Sequence, residues 1–451
     1  MPKIALLFAS LLLLGCSSGG ETVRFATFNS ALSREAPGEL LVALSTPDDE
    51  QAQAVAAIIQ AARPDVLVLQ EFDHGGDYDP DGEALRLFQE NYLRQPQACS
   101  LRSIQYKHVY LVPSNTGIPT GVDLNGDGLV APTEGAEVGT DAYAGDCHGW
   151  GKFPGQYAFV VLSKFPIDRE GIETSQERRW FQGYLPDELA EAKARTKEVF
   201  GWSEDRIDRW YAEKTRSDQM PIEHFDDEAK RVLRLSSKNH VEVPIRVGLE
   251  SISVVTAHPT PPVFDGPEDR NGRRNHDELV SLLSAVPNSA VRISFSQDAT
   301  DLQRVAGYAS HAERYVVMGD LNADPNDGEV FVNADGERAI DTLISLRHWG
   351  KIGIIDPMPT SPGGVAAAER QGGVNADHIG DPAADTADWN DDPTRGPGNL
   401  RVDYVLPSAD LEVVGSGVFW PTPDEPLMGV DLATAERASD HRLVWVDVKV
   451  D

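Results

Sequence analysis

Eight short apolar runs recur along almost the whole chain, and they constrain its fold more than any other feature. Most of their residues are β-branched or aromatic, and Pro, Gly, Asp or Asn bounds the runs, which is typical of buried β-strands. Helical patterns over Asp49–Ala62 and Asp277–Ala285 lie between some of them. This mixture predicts an α/β fold, a four-layer sandwich of two packed mixed β-sheets flanked by helices. The predicted strands are Val23–Phe28, Val66–Gln70, Tyr157–Leu162, Val241–Val247, Ile252–Ala257, Tyr315–Met318, Val402–Leu406 and Leu443–Val450.

Three stretches interrupt this pattern. Residues 73–155 are rich in Gly, Asp and Pro, and residues 363–399 are rich in Gly, Ala and Asp. Residues 172–238 are charged, with helices predicted over Pro186–Phe200 and Asp205–Lys214. None of the three has enough apolar periodicity to fold alone, so we predict long insertions in one domain that covers residues 23–451.

The N-terminus has the pattern of an export signal. Lys3 precedes an apolar run, Ile4–Leu14, which is too short to span a bilayer but suits the core of a signal peptide. The run ends in Leu-Leu-Gly-Cys-Ser, the form of a bacterial lipobox, in which Cys16 is lipidated after cleavage. We predict a signal peptide over residues 1–15, a tether over residues 16–22, and a membrane-anchored lipoprotein in the periplasm or at the cell surface. A plain signal peptide followed by a chance cysteine is the alternative.

Two further cysteines, Cys99 and Cys147, remain after such cleavage. Neither has the Cys or His spacing of a zinc site, although His148 follows Cys147. In an oxidising compartment an isolated pair is more often a disulfide than two free thiols. We therefore predict a Cys99–Cys147 disulfide.

The net charge is strongly negative, −32 over 451 residues, while 41% of the residues are hydrophobic. The apolar fraction is that of a globular protein rather than a disordered one. A large acidic excess repels polyanions, whereas a non-specific binder of duplex DNA normally has a basic face. The charge therefore disfavours a nuclease, but it does not exclude one, because salt screens the repulsion and local charge can differ from the total.

Polar residues recur where the predicted strands end. A carboxylate at the end of an apolar strand is held by rigid backbone, as a metal ligand must be, and Mg²⁺ prefers carboxylate and amide oxygens. Taken singly, an Asp or Asn in such a place is usually a turn former or a helix cap. Their joint occurrence predicts a functional centre. The residues are Asn29, Glu71, His258, Asp320, Asn322, Asp403, Asp440 and His441.

Six motifs carry these residues, and in this combination and order they resemble the endonuclease/exonuclease/phosphatase superfamily. That superfamily includes pancreatic-type deoxyribonucleases, abasic-site endonucleases, neutral sphingomyelinases and inositol polyphosphate 5-phosphatases. The resemblance covers nearly all of the chain after the export signal. The motifs are Thr27-Phe28-Asn29, Leu69-Gln70-Glu71, Thr256-Ala257-His258, Gly319-Asp320-Leu321-Asn322-Ala323-Asp324-Pro325, Val402-Asp403-Tyr404-Val405-Leu406 and Ser439-Asp440-His441.

The resemblance implies a metal centre with catalytic Mg²⁺ or Mn²⁺. Glu71 is expected to bind the cation, and Asn29 beside it is expected to contact phosphate or metal-bound water. Asp440 either completes the metal shell or serves a second cation.

The resemblance also implies the roles of the remaining residues. Asp403 and His441 form a hydrogen-bonded pair that orients the imidazole toward the scissile phosphate. Asp320 accepts a proton from the attacking water, and Asn322 holds a phosphate oxygen. His258 binds another phosphate oxygen or assists the leaving group. Which of these groups is the base differs among members of the superfamily.

A cationic stretch, Arg270–His276, stands out in this acidic chain. Its Arg273 and Asn275 either bind a phosphate of the substrate or belong to a surface where the arginines pair with nearby acidic residues. Tyr157 is a third candidate, because some relatives have a phosphate-contacting tyrosine.

A second metal motif lies in the first predicted insertion. Residues 123–134 match the twelve-residue calcium loop D-x-N-x-D-G-x₅-E. The alternative is a turn rich in Asp, Asn and Gly, and the missing flanking helices argue against a helix–loop–helix unit. We predict a structural Ca²⁺ site with ligands Asp123, Asn125, Asp127, Leu129 and Glu134.

The sequence thus predicts an exported metal-dependent phosphoesterase that cleaves phosphodiesters or phosphomonoesters by activated-water attack. Its substrate is a small molecule, a lipid headgroup or a nucleic acid, and no protein partner is implied. An extracellular nuclease acting on DNA or RNA is an alternative within the class. A catalytically inactive, calcium-stabilised surface binding protein is the alternative from another class, and it is disfavoured because every expected polar position is filled.

Overall fold

The computed structural model describes residues 20–180, 224–283, 314–332, 336–344 and 353–450, with scattered residues between 190 and 208. The predicted signal peptide, Cys16 and most of the two helices predicted over Pro186–Phe200 and Asp205–Lys214 lie outside the described residues.

Two large sheets and one small sheet form the β-structure of the described residues. The larger sheet has the strand order β12-β13-β1-β2-β4-β3, the second has β11-β8-β7-β6-β5, and β9 pairs with β10. Both large sheets are mixed, because β1 runs parallel to β2 and β7 runs parallel to β8 while the other pairs are antiparallel. The strands are β1 (Glu21–Leu32), β2 (Val66–Phe72), β3 (His108–Val112), β4 (Phe159–Ser163), β5 (Glu173–Thr174), β6 (His240–Val247), β7 (Glu250–Ala257), β8 (Arg314–Asp320), β9 (Ala387–Asp388), β10 (Asn399–Leu400), β11 (Asp403–Pro407), β12 (Glu412–Val418) and β13 (Val444–Val450).

Short helices connect these strands. The helix Glu50–Ala62 begins where the Asp49 carboxylate accepts a hydrogen bond from the Ala52 amide at 2.8 Å. Within the described residues, no helix is both long and apolar enough to cross a bilayer. The α-helices are α1 (Glu39–Leu44), α2 (Glu50–Ala62), α3 (Glu83–Phe88), α4 (Asp141–Gly145), α5 (Asp227–Val232), α6 (Arg270–Leu283), α7 (Asp341–Ile344), α8 (Pro362–Gln371) and α9 (Leu432–Ala438). A π-helical turn covers Gln89–Leu93, and 3₁₀ turns cover Arg169–Gly171, Gly373–Ala376 and Pro382–Ala384.

The two large sheets pack face to face, because alternate residues of their central strands are apolar and point between them. Their outer faces are also apolar. The six-stranded sheet is covered by α1, α2, α3 and α9, and the five-stranded sheet is covered by α6 and α7. The predicted four-layer sandwich is therefore confirmed. Side chains between the sheets include Val23, Phe25, Val66, Val68, Val243, Val254, Val316 and Met318.

The eight predicted strands are all present, and so is the helix predicted over Asp49–Ala62. The helix predicted from Asp277 begins earlier, at Arg270. Its first turns were missed because their residues are polar and lack apolar periodicity. Residues 73–155 were predicted to be an insertion, but they supply α3 and the edge strand β3. This stretch therefore contributes to the core and is more than a surface loop.

The predicted disulfide is wrong, because both cysteines are free thiols. Cys147 is buried beside Tyr143, whose carbonyl oxygen accepts a hydrogen bond from its Sγ at 3.2 Å. Cys99 is exposed and follows the π-helical turn on the outer side of the larger sheet. Cysteine count and compartment suggested a pair, but they carry no information about distance.

The strand ends bring the predicted polar residues together. Asn29 has the same strand parity as Val23 and Phe25, so its side chain points between the sheets. On the facing sheet, Asp320 continues the inward row of β8 and is paired directly with Asp403 of β11. The site therefore lies at one end of the sandwich, between its two sheets.

Gly319, in β8, has no room for a side chain. Its φ is +154°, and a methyl group there would lie 2.3 Å from the carbonyl oxygen of Ala257 on the neighbouring strand. We expect Gly319→Ala to lower the free energy of unfolding by about 1–3 kcal/mol, because β7 and β8 must separate to fit the methyl group. Urea denaturation measures this. The control is Gly415→Ala, where the nearest atom would be 3.4 Å away; equal stability of the two variants would contradict the expectation.

Candidate active site

Asp320 is the centre of the polar cluster between the sheets. Its Oδ2 accepts a hydrogen bond from Asn29 Nδ2 at 3.0 Å. The same oxygen lies 3.4 Å from Nε2 of His258 and 3.8 Å from Nε2 of His441. Its Oδ1 accepts from the backbone N–H of Asn322 at 3.0 Å. One buried carboxylate thus connects residues from four separate motifs.

Asp403 and His441 form a buried pair, with Asp403 Oδ2 2.9 Å from His441 Nδ1. This contact leaves Nε2 of the imidazole directed toward Asp320. The Asp403 backbone N–H donates to the Thr386 hydroxyl at 3.0 Å, which fixes the end of β11. The Trp389 ring packs edge-on against the imidazole with 5.3 Å between the ring centroids. The orientation of His441 is therefore set by contacts on several sides.

His441 and His258 differ in charge state. Burial acts to lower the pKa of His441, but the carboxylates of Asp403 and Asp320 outweigh it and raise that pKa to about 10. Burial lowers the pKa of His258, and the positive charge of Lys238 lowers it further. At neutral pH the site therefore holds an imidazolium at His441 and a neutral imidazole at His258.

The pKa values of the Asp320 and Asp403 carboxylates are shifted in opposite directions. Burial acts to raise the pKa of Asp320, but the charge of His441 and the hydrogen bond with His258 hold that pKa well below its usual range. For Asp403, burial is the larger effect and raises the pKa to about 6, although His441 acts in the opposite direction. Asp320 is therefore the group that stays ionised over the widest pH range.

Oxygen donors lie together where β1 and β2 end. Oε1 of the half-buried Glu71 accepts from Asn29 Nδ2 at 3.1 Å, and Glu71 has φ of +52°, a strained value for a side-chain-bearing residue. The Ser439 hydroxyl donates to the Asn29 carbonyl oxygen at 2.8 Å, which joins the segment that carries Asp440 to β1. The exposed Asp440 carboxylate accepts from Trp389 Nε1 at 2.9 Å. Carboxylate and amide oxygens are the donors that hard divalent cations prefer, so Glu71, Asn29 and Asp440 remain the predicted ligands of such an ion.

Among the described residues, one group of three acidic or histidine side chains has ligand atoms within 4.8 Å of one another: Asp320, Asp403 and His441. This group adjoins the predicted ligands through Asn29, which donates to both Glu71 and Asp320. We interpret the triad as a hydrogen-bonded partner of the metal site, because its atoms are already paired with one another.

Asn322 and Asn275 hold the loops that follow β7 and β8. Asn322 has φ of +51°, and its Nδ2 donates to the Pro259 carbonyl oxygen at 3.2 Å. Asn275 is fully buried, and its Nδ2 donates to the carbonyl oxygens of Thr260 and Leu321 at 3.0 Å each. Its amide therefore joins the two loops, and the phosphate contact predicted for Asn275 remains a prediction.

The arginines of the cationic stretch also make local contacts. Arg273 lies over the Phe331 ring, 4.9 Å from its centroid, and its Nε donates to the Glu268 carbonyl oxygen at 3.4 Å. The buried Arg274 donates to the carbonyl oxygens of Leu235 and Arg234 at 2.8 Å each. Of the two interpretations of this stretch, these contacts favour the structural one.

Tyr157 lies on the Glu71 side of the centre, with φ of +59°. Its backbone N–H donates to Asp73 Oδ1 at 2.9 Å, and the Arg34 N–H donates to Oδ2 at 2.7 Å. Its ring contacts the half-exposed Trp150, with 6.2 Å between centroids. A strained backbone that its neighbours hold in place is typical of functional positions. The phosphate contact predicted for Tyr157 remains a prediction.

The predicted calcium loop forms a chain of turns. Oδ1 of Asp123 accepts from the Gly126 N–H at 2.7 Å, and its Oδ2 accepts from the Gly128 N–H at 2.9 Å. Asp127 Oδ1 accepts from the Leu129 N–H at 2.8 Å. In the described part of the chain, Asp123, Asp127 and Glu134 are not gathered as closely as the Asp320 group. Calcium binding at this loop remains a prediction.

Lys238, Glu278 and Trp389 belong to the site but were not assigned roles from the sequence. Lys238 lies in the segment just before β6, and no motif of the sequence marks it. Glu278 and Trp389 are isolated in sequence, and only tertiary packing places them here. Trp389 comes from residues 363–399, so this predicted insertion contributes to the site.

Glu278 is a fully buried carboxylate that connects the segments around the site. It accepts from the Ser236 hydroxyl at 3.0 Å and the Thr260 hydroxyl at 2.7 Å, and it lies 3.2 Å from His240 Nε2. Burial acts to raise the pKa of Glu278, but His240 and Arg274, with the Thr260 hydrogen bond, hold it at about 2. The carboxylate is therefore ionised in the folded protein.

Replacing Glu278 by glutamine is expected to lower the free energy of unfolding by about 3–5 kcal/mol, because the buried Arg274 loses its counter-charge. The folded-state pKa lies below the ordinary 4.5, so this stabilisation is present above pH 4.5 and is lost as the pH falls toward 2. Urea denaturation at several pH values measures both effects. The matched control is Glu412→Gln, an exposed partner of Lys449, expected to cost about 1 kcal/mol or less; a similar loss in both variants would contradict the account.

Residues 26–441 match the model of the Endonuclease/Exonuclease/phosphatase family. The chain belongs to that family, whose members are hydrolases acting on phosphoester bonds. No curated protein matches the chain at a significant level.

The chain is also similar, at low sequence identity, to several solved structures. An endonuclease/exonuclease/phosphatase from Beutenbergia cavernae has 19% identity and a TM-score of 0.43, with 95% of this chain and 72% of that chain covered. An AP endonuclease from Archaeoglobus fulgidus has 13% identity and a TM-score of 0.39, with 95% and 100% covered. Beta toxin from Staphylococcus aureus has 13% identity and a TM-score of 0.36, with 94% and 99% covered.

Proposed function

We propose that this protein is an exported, metal-dependent phosphoesterase that hydrolyses phosphodiesters or phosphomonoesters by attack of an activated water. The observation that carries the proposal is the buried Asp320 carboxylate, which lies within 3.8 Å of a charged and a neutral histidine. Hydrolysis of a phosphoester needs a group that accepts a proton from water and a cation that stabilises charge on the phosphate. Asp320 and His441 supply these two properties side by side.

The charge states of Asp320, His441 and His258 determine the role proposed for each. Asp320 is ionised at neutral pH, and Asn29 orients the oxygen that would accept a proton from water. Because the pKa of Asp320 is low, proton transfer to it accompanies attack rather than precedes it. The His441 imidazolium, oriented by Asp403, donates from Nε2 to a phosphate oxygen. The neutral His258 stands beside the same carboxylate and is placed to contact a second phosphate oxygen or the leaving group.

A divalent cation at Glu71, Asn29 and Asp440 would neutralise the charge that develops on the phosphate. The donor set supports Mg²⁺ or Mn²⁺, since it consists of carboxylate and amide oxygens. Asn29 links this donor set to Asp320, so the ligands and the proton acceptor are held in one hydrogen-bonded unit.

The experiment uses the mature chain without its lipidated Cys16, beginning at residue 17, treated with a chelator and returned to Mg²⁺, Mn²⁺ or Ca²⁺. The substrates are bis-p-nitrophenyl phosphate, p-nitrophenyl phosphate and plasmid DNA. We expect turnover that disappears with the chelator and returns with Mg²⁺ or Mn²⁺. The preferred substrate separates a diesterase from a monoesterase or a nuclease. A folded, metal-loaded protein that cleaves none of them would favour the binding-protein alternative.

Export and lipid anchoring are part of the proposal and rest on the sequence of residues 1–16. Replacing Cys16 by serine is expected to move the protein from the membrane fraction to the soluble fraction and to abolish palmitate labelling. Unchanged labelling of the variant would refute anchoring at Cys16.

A further inference from the structure

Lys238 is a buried lysine with no counter-charge in contact. It lies in the segment just before β6 and is 6% exposed. Lysine is almost never so buried unless it is paired. In the described part of the chain, no acceptor lies within hydrogen-bond distance of its ammonium nitrogen, and no carboxylate forms an ion pair with it. Lys230 is equally buried but is paired with Asp227, with 3.7 Å between Nζ and Oδ1.

The nearby Glu278 does not take the place of a partner. Its Oε1 accepts from the Thr260 N–H at 3.0 Å and from the Thr260 hydroxyl at 2.7 Å. Its Oε2 accepts from the Ser236 hydroxyl and lies beside His240. Both oxygens are engaged, so Glu278 attracts the ammonium of Lys238 through space without contacting it.

The backbone around Lys238 is fixed on both sides. Its carbonyl oxygen accepts from the Asn115 N–H at 2.8 Å, and Asn239 Nδ2 donates to the Pro113 carbonyl oxygen at 2.9 Å. His240 pairs with Ala257 in the β6–β7 ladder, so Lys238, two residues before His240, lies beside the segment that carries His258. Burial lowers the pKa of Lys238, while the carboxylates of Glu278, Glu71 and Asp320 act to raise it. Lys238 is therefore held beside the segment that carries His258, next to the proposed phosphate position.

We propose that the Lys238 ammonium binds a non-bridging oxygen of the scissile phosphate of the substrate. The inference rests on the proposed function and adds a residue to it. An ammonium has three donors and a compact charge, which suit a phosphate oxygen. In the free protein the buried charge lacks a contacting partner, and the arriving phosphate supplies one. Lys238 is thus a catalytic residue that is destabilising until substrate binds.

The test compares Lys238→Met with wild type and with the control Lys230→Met, all in the mature chain. For Lys238→Met we expect kcat/KM to fall about 100-fold, as when one donor to a developing oxyanion is removed. The inhibition constant for inorganic phosphate should rise about tenfold or more, by the same loss of a charged donor.

The Mg²⁺ concentration for half-maximal activity should stay the same or fall, because a positive charge near Glu71 is gone. Thermal stability should be retained, since an unpaired buried charge has been removed. Lys230→Met should keep wild-type kcat/KM and phosphate inhibition.

A folded Lys238→Met variant with wild-type kcat/KM and phosphate inhibition would overturn the inference. If this variant does not fold, Lys238→Gln replaces it and is judged by the same two constants. If wild type itself has no turnover, the proposed function fails, and calorimetric titration of the Mg²⁺-loaded protein with inorganic phosphate decides the role of Lys238 separately. Phosphate binding that weakens in the variant would support the inference, and equal or absent binding in both proteins would overturn it.

Discussion

Asp320→Asn is expected to lower kcat by about 10²- to 10⁴-fold, the range for loss of a positioned proton acceptor. Asparagine keeps the size of the side chain but cannot accept the proton of the attacking water. It also removes one of the carboxylate charges that raise the pKa of His441, so less imidazolium is present at neutral pH. Steady-state turnover of bis-p-nitrophenyl phosphate at saturating Mg²⁺ measures the effect.

The control for this variant is Asp168→Asn, which removes a carboxylate paired with Arg246 on the surface. It should retain wild-type kcat. Thermal unfolding of both variants separates a catalytic defect from a folding defect. A folded Asp320→Asn variant that turns over at the wild-type rate would contradict the role assigned to Asp320.

Glu71→Gln is expected to raise the Mg²⁺ concentration for half-maximal activity by at least about 10- to 100-fold, since even outer partners of metal ligands have effects of this size. Glutamine keeps an oxygen donor but loses the charge that attracts the cation. Because Asn29 joins Glu71 to Asp320, kcat should also fall when Mg²⁺ is saturating. Metal titrations of activity, and calorimetric titrations with Mn²⁺, measure both effects.

Glu35→Gln is the matched control, because Glu35 is an exposed carboxylate paired with Lys152 on the same side of the protein. Its metal requirement should equal that of wild type. If Glu71→Gln binds and uses Mg²⁺ as wild type does, Glu71 is not a ligand and the assignment of the metal site is wrong.

The central strands could be predicted because both faces of each sheet are covered, which leaves continuous apolar runs in the sequence. β3 and β12 were missed because they lie at the two edges of the larger sheet and many of their residues are partly exposed. β9 and β10 have two residues each, and their pairing is determined by the surrounding loops. Strands without a buried face on both sides give little local signal.

The site was predictable where its residues follow strands. Glu71, Asp320 and Asp403 lie at strand ends, and sheet pairing brings such ends together. Lys238 and Glu278 were not assigned because their significance depends on burial, which no local pattern reveals. The Cys99–Cys147 pairing failed for a related reason, since composition says nothing about the distance between two residues.

The most direct test of the account is hydrolysis of bis-p-nitrophenyl phosphate in ¹⁸O-labelled water by the chelated mature protein, before and after Mg²⁺ is restored. The account predicts turnover only with Mg²⁺, with one labelled oxygen in the phosphate product and none in p-nitrophenol. Turnover that persists without a divalent cation, label in p-nitrophenol, or an intact substrate in the presence of folded, Mg²⁺-loaded protein would contradict it.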